Sequence, residues 1–203
     1  RLKSIEIKTI IMLKRSKKTM TCQTKCGVCP KGRTAASGPY TASVMEHFSK
    51  PHNYGKIKDP DGVGKVGNIY CGDVMWLYIK VAKGRAGKEI IKDIKFETFG
   101  CVAAIATSSA ITDLAKGKTL EEAIAIDKRE IVQSLGGLPP IKLHCSVLAA
   151  DALAEAIYDY YTKQKRQIPA ALEEKHQRIK KEKDIVEEKY KDWVKREEEI
   201  HGQ

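Results

Sequence analysis

The sequence predicts an α+β fold: a three-stranded antiparallel sheet with helices packed on one face, followed by a charged C-terminal helix. Three observations carry this expectation. Between about residues 66 and 97, apolar and polar residues alternate with the two-residue period of half-buried strands, and turn residues interrupt the runs. From Val102 onward the apolar spacing changes to the three and four residues of helices. Strands first and helices after is the order of an α+β domain, with the helices gathered on one side of the sheet.

Each element has its own signal. Val44, Met45 and Phe48 suit a short amphipathic helix that Pro51 stops. Val66, Asn68 and Tyr70 read as a first strand, ending at Cys71-Gly72-Asp73. Met75, Leu77, Ile79 and Val81, alternating with Trp76, Tyr78 and Lys80, make the second, and Gly84 to Gly87 turns the chain. Ile94 and Phe96 between Lys95 and Glu97 mark the third, which completes a meander. Val102 to Ala115 is Ala-rich and free of Gly and Pro, hence helical. Thr119 with Glu122 forms a capping box for a short helix. Asp127 with Glu130 starts another, which Gly136-Gly137 ends. Pro139 and Pro140 impose an extended approach to the next element. Cys145, Leu148, Ala149, Ala152, Ala156, Ile157 and Tyr160 then line one face of a last core helix. Beyond Pro169 an apolar residue recurs every seven positions: Leu172, Ile179, Val186, Trp193 and Ile200. The intervening seam positions His176, Lys183, Tyr190 and Glu197 are mostly polar, so the stripe is too thin for a strict coiled coil. It suits a charged helix that docks on the core or pairs weakly.

The chain of 203 residues divides into a basic, cysteine-containing tail at 1–39, a core domain at 40–168 and a charged helical extension at 169–203. The net charge of +11 comes mostly from the tail, where ten Lys/Arg face one acid. The core domain lacks the concentrated basic patch of a nucleic-acid binder, so no nucleic-acid partner is expected. No apolar run is long enough to span a membrane, and no membrane partner is expected. Six cysteines without a secretory signal are expected to be thiols in a reducing compartment, the cytoplasm, or the mitochondrial matrix if the basic tail is a leader.

Three of these cysteines sit at element edges. Cys71 ends a strand, Cys101 follows Gly100 at the start of a helix, and Cys145 follows His144 at the start of another. Helix N-termini stabilise thiolates through unpaired N–H groups. Asp73 and His144 add an oxygen and a nitrogen beside the sulfurs. Such a set fits Zn²⁺ or an iron–sulfur cluster. A cluster held for storage normally has four thiolates. Substituting Asp or His for one of them points to a protein that builds and releases its cluster.

Four stretches carry a resemblance. They are Val44-Met45-Glu46-His47-Phe48 with Pro51-His52-Asn53-Tyr54-Gly55; Asn68-Ile69-Tyr70-Cys71-Gly72-Asp73; Phe99-Gly100-Cys101 through Ala106; and Gly136 through Ser146. In this order they resemble the U-type iron–sulfur scaffold family, IscU and the N-terminal domain of NifU, over residues 40 to about 168. The resemblance implies a non-enzymatic scaffold that takes sulfur from a cysteine desulfurase and assembles a [2Fe-2S] cluster, or in some members [4Fe-4S]. The implied ligands are Cys71, Cys101 and Cys145 with Asp73 or His144, Cys145 being the persulfide acceptor. It further implies that Zn²⁺ can occupy the empty site and that recipient apoproteins accept the finished cluster. An Hsp70-type chaperone would bind Leu138, Pro139, Pro140, Ile141 and Lys142, where the family usually has Val at position 141. Tyr40 matches an aromatic linked to dimer contacts, so a homodimer is implied.

Both terminal extensions depart from the family pattern. Cys22, Cys26 and Cys29 have the spacing of a radical-SAM cluster motif, but the βα barrel such an enzyme needs does not follow. An alternative to the scaffold is the family's zinc-dependent sulfurtransferase branch, accepting persulfide on Cys145. That branch carries an insertion between the second and third cysteines and generally lacks the preceding His, whereas this chain has His144 and no evident insertion.

Overall fold

The computed structural model describes residues 38–68, 72–84 and 87–201, and the side chains of the last helix through Ile185 and at Glu188 and Lys191. The expectations placed on Cys22, Cys26, Cys29 and Cys71 lie outside the described residues. Helix α1 (Ala42–Ser49) leads into strands β1 (Gly62–Asn68), β2 (Asp73–Lys83) and β3 (Glu89–Phe99). Helices α2 (Val102–Ala115), α3 (Leu120–Ala125), α4 (Lys128–Ser134) and α5 (Leu143–Lys163) follow, and then the long α6 (Ala170–His201). The strands pair antiparallel in the order β1-β2-β3, the expected meander. Helices α2 and α5 pack against one face, and the α+β expectation holds.

The core lies between sheet and helices. Val66, Met75, Leu77, Ile79, Ile91, Ile94 and Phe96 bury against Ala106, Ala110 and Ile111 of α2 and Ala149, Ala152, Leu153, Ala156 and Ile157 of α5. The small residues on α5 let it approach β1 closely. A Cβ at Gly64 would stand 2.0 Å from the Ala152 carbonyl oxygen, and one at Gly62 2.2 Å from that of Ala156. This contact explains why β1 begins at Gly62, ahead of the apolar alternation that marks it in sequence. In β3 the register shifts opposite Lys80 and Val81, so that Lys80 faces Asp93 while Val81 faces Ile91. The irregularity puts both Ile91 and Ile94 on the buried face, which a two-residue period forbids.

The caps follow the sequence closely. Thr119 and Glu122 form the reciprocal capping box of α3, and the Asp127 carboxylate accepts from the Arg129 and Glu130 amides at the start of α4. Gly136 and Gly137 end α4 at φ of 68° and 109°. The Pro-Pro segment differs from expectation. Pro139 is extended, but Pro140–Lys142 forms a 3₁₀ turn that feeds straight into α5 at Leu143. A fixed proline φ suits the first helical turn as well as it suits an extended chain. Cys145 therefore lies in the first turn of α5 rather than at its cap.

Helix α6 docks on α5 through its first turns. Leu172 is fully buried, the His176 ring stacks on Tyr158 with centroids 3.7 Å apart, and Arg178 pairs with Asp151 at 2.5 Å. His176 Nδ1 also meets Glu155 at 2.8 Å, and the Lys175 ammonium donates to the Ile124 carbonyl. The seam position His176 thus contributes more contacts than its polarity suggests. By contrast Ile185 is exposed. No helix among the described residues is long and apolar enough to cross a membrane.

Candidate metal centre

The site lies at one end of the sheet, where β2 begins, β3 ends and α2 and α5 start. Asp73 is the first residue of β2, paired across to Asn68. The residue is 2% exposed, and such burial is costly for a carboxylate without partners. The Cys101 amide supplies one, donating to Asp73 Oδ1 at 3.1 Å. Cys101 is the N-cap of α2, so this bond also satisfies an amide at the helix start. Gly100 makes the approach possible: a Cβ there would come within 2.8 Å of Asp73 Oδ1 and 2.9 Å of the Ala104 Cβ.

The two sulfurs converge on the other carboxylate oxygen. Cys101 Sγ is 3.9 Å and Cys145 Sγ 3.7 Å from Asp73 Oδ2, and the sulfurs are 3.8 Å from each other. The last distance is far beyond the ~2.05 Å of a disulfide. Cys145 is buried and packs with Ala103 and Ala104, while Tyr40, Cys101 and Leu138 cover the cluster in part. Thr107 ties α2 to α5 here, its buried hydroxyl donating to the Cys145 carbonyl at 3.2 Å. Three candidate ligand atoms, from Asp73, Cys101 and Cys145, lie within 4.8 Å of one another. Two thiol sulfurs and a carboxylate oxygen, two of the three residues buried, are a donor set for thiophilic metals such as zinc and iron.

His144 is outside that 4.8 Å set. Its Nε2 is nonetheless buried and has no hydrogen-bond partner among the described residues. A buried ring nitrogen without a partner is unusual enough to need a reason, and ligation of a metal would supply one. The structure thus groups three of the predicted ligands, leaves His144 next in chain to one of them with an unsatisfied nitrogen, and does not describe Cys71.

The rim carries charge and apolar surface. Lys142 is partly exposed, and negative charge at Cys101 first of all, then at Tyr40 and Cys145, holds its pKa above the ordinary lysine value. Burial chiefly, and then Cys101, raises the Tyr40 phenol. In sequence Lys142 reads only as the end of a chaperone segment; the 3₁₀ turn is what brings it to the cysteines. Phe99 and Ile141 are each 78% exposed beside the site, and Leu143 is half-exposed. A second cluster, His47, His52 and Asp113, has no counterpart in the sequence reading. The Pro51–Gly55 loop joins it to α2 by running alongside β3, a parallel contact between Tyr54 and Phe96 that no local pattern announces.

Comparison with known proteins adds an independent line. Residues 39–167 match the family model described as NifU-like N terminal domain. The chain is 58% identical over 124 residues to the iron-sulfur cluster assembly scaffold protein IscU 1 of Archaeoglobus fulgidus, covering 61% of this chain and 78% of that one. It is 50% identical over 124 residues to the scaffold protein IscU of Azotobacter vinelandii, covering 60% and 93%. To the mitochondrial iron sulfur cluster assembly protein 1 of Debaryomyces hansenii it is 49% identical over 127 residues, covering 61% and 69%. The family match extends over well more than half of the chain and takes in every element from α1 to α5: the chain belongs to the NifU-like N-terminal domain family.

Proposed function

We propose that this protein is a scaffold for iron–sulfur cluster assembly. It accepts sulfur from a cysteine desulfurase, binds iron, and passes the assembled cluster to apoproteins. The cluster is its cargo, and the protein is not a catalyst. The observation that carries the reading is the convergence of Asp73, Cys101 and Cys145 on one point at the end of the sheet, in a chain whose relatives are named as scaffolds. Cys71, two residues before Asp73 in sequence, is proposed as the third sulfur ligand, and Asp73 or His144 as the fourth group.

Each residue has a task that follows from its chemistry. Cys145 accepts the persulfide: its thiolate attacks the outer sulfur of the desulfurase persulfide, the donor cysteine leaves as a thiolate, and a Cys145 persulfide results. Lys142 stabilises negative charge on these sulfurs. Asp73 offers iron a hard oxygen, a weaker partner than thiolate for a cluster that must later leave. The amide of Cys101 and the absence of a side chain at Gly100 hold that carboxylate in place.

Partners follow at a coarser level. Ile141 projects into solvent, which suits recognition of the 138–142 segment by an Hsp70-type chaperone, whereas Leu138 packs against the Cys145 cluster. Phe99 and Leu143 enlarge the exposed apolar rim on which a desulfurase or a second copy of the chain could dock. The cytoplasm or the mitochondrial matrix would be the compartment. [2Fe-2S] is the proposed product, with Zn²⁺ as an occupant of the empty site.

Two variants test the assignments. Cys145→Ser is expected to abolish persulfide capture from a desulfurase supplied with cysteine, read as the added sulfur mass on the chain. Undiminished loading in that variant would move the acceptor role to another cysteine. Asp73→Ala is expected to assemble a cluster and release it more slowly than the parent, followed by the decay of visible absorption in the presence of an apoprotein. Faster loss would remove Asp73 from the exchange role.

A further inference from the structure

Away from the cysteines, at the other end of α2, three side chains from separate elements point at one another. His47 comes from α1, His52 from the loop after it, and Asp113 from the last turn of α2. We infer that His47, His52 and Asp113 form a second metal site, for one divalent first-row transition ion of the Zn²⁺ or Fe²⁺ class. Their ligand atoms all lie within 4.8 Å of one another. Two imidazoles and one carboxylate are a common ligand set for zinc and ferrous iron, with further positions left to water.

The surrounding residues arrange these groups as supports of a metal site would. The Ser109 hydroxyl oxygen is 2.8 Å from His47 Nδ1 and accepts the His52 amide N–H, also at 2.8 Å. A hydroxyl oxygen has two acceptor lone pairs, so it can take both N–H groups. That tautomer leaves the lone pair of His47 on Nε2, available to an ion. The Asn53 amide donates to Asp113 Oδ1 at 3.0 Å and to the Thr112 hydroxyl at 3.0 Å, which fixes the carboxylate and turns Oδ2 toward His52. Asn53 does this from a left-handed backbone, φ 55°. The two rings stand 4.7 Å apart at 52°.

Without an ion, His52 Nδ1 and Asp113 Oδ2 are 2.6 Å apart, sharing a proton-mediated contact. Two ligands with bonds of about 2.1 Å at a tetrahedral angle sit about 3.4 Å apart. Binding therefore replaces that hydrogen bond and opens it by less than 1 Å or so. The His52 and Asp113 side chains are 48% and 41% exposed, so neither is held in the core. Lys116 lies 3.5 Å from Asn53 Oδ1 and is paired with Asp93 at 3.1 Å. Fastening the loop to α2 needs only His52, Asn53 and Asp113; a third ligand-bearing side chain, the His47 ring, turned toward His52 and Asp113 is what a metal requires. Cys101 caps the start of α2 and Asp113 lies twelve residues on, about 18 Å along the axis. The two sites share no ligand, and this inference does not depend on the scaffold reading.

The test uses the full-length chain labelled with ¹⁵N at histidine, titrated with Zn²⁺ past saturation of its thiols. Ring nitrogens are assigned with His47→Gln and His52→Gln. The expected result is that Zn²⁺ displaces the signals of one ring nitrogen each of His47 and His52, and that His52→Gln and Asp113→Asn each bind one zinc fewer per chain than the parent while keeping its circular dichroism. Unmoved His47 and His52 signals in the parent chain would overturn the proposal, and so would parental zinc stoichiometry in both folded variants.

Discussion

Gly100 is the residue on which the site's geometry turns most sharply. It has no special backbone angle; what matters is that a methyl group there would meet Asp73 Oδ1 at 2.8 Å and Ala104 at 2.9 Å. Gly100→Ala is expected to lower stability by about 1–3 kcal/mol, as overpacking does, and to displace the carboxylate that Cys101 holds. Urea denaturation checks the first effect and iron content after reconstitution the second. Unchanged values of both would show that Asp73 is not positioned by this contact. The ligand candidates themselves were legible in the sequence, because Cys, Asp and His at element edges beside glycine already suggest metal chemistry. Lys142 beside Cys101 was not, since a turn of three residues decides its direction. Nor were His47, His52 and Asp113, whose meeting depends on a loop crossing the end of α2 about sixty residues away in the chain.

At the scale of elements, the strands and caps were readable where the pattern is local. The alternation of Met75 to Val81 and the Thr119–Glu122 box correspond directly to β2 and α3. The start of β1 was not readable: Gly62 and Gly64 look like turn residues, yet they are strand positions kept bare for the backbone of α5. Gly64→Ala is expected to cost about 3 kcal/mol, because the obstruction is the Ala152 carbonyl and Ala156 amide rather than a side chain that can turn away. Thermal unfolding of that variant checks the figure, and a loss below the scale of ordinary surface changes would contradict the packing. The docking of α6 makes a pH-dependent prediction. Burial raises the pKa of Asp151 above its ordinary value even though Arg178 opposes the shift. A carboxyl raised on folding binds more protons in the folded state, so its contribution is largest at low pH and falls as pH rises through the folded value. Removing Arg178 increases the penalty on the charged form. Arg178→Ala should therefore lose about 1–2 kcal/mol at neutral pH, a figure moderated by the arginine's exposure. The loss should shrink as the pH is lowered into the acid range and Asp151 takes up its proton. Urea titrations at neutral and acid pH measure it, and a loss independent of pH would mean that the pair does not hold α6.

For the whole molecule, the arrangement separates stability from the site. The apolar core runs between the sheet and α2 and α5, while Asp73, Cys101 and Cys145 sit at its end with only Ala103 and Ala104 as buried apolar company. A domain organised this way keeps its fold when metal is stripped, unlike a structural zinc domain, whose folding energy comes from the ion. Chelated protein is expected to retain its far-ultraviolet dichroism and unfold cooperatively; collapse of both on chelation would favour a structural metal. The central claim is that the cysteine site receives both iron and sulfur. The most direct measurement is anaerobic reconstitution of the full chain carrying Cys22→Ser, Cys26→Ser and Cys29→Ser, with ferrous iron, cysteine and a cysteine desulfurase, followed by quantification of bound iron and acid-labile sulfide. The scaffold account predicts iron and sulfide in matched amounts with visible charge-transfer absorption, both lost when Cys101 or Cys145 is replaced. Persulfide on Cys145 with no bound iron would contradict it and make the chain a sulfur carrier.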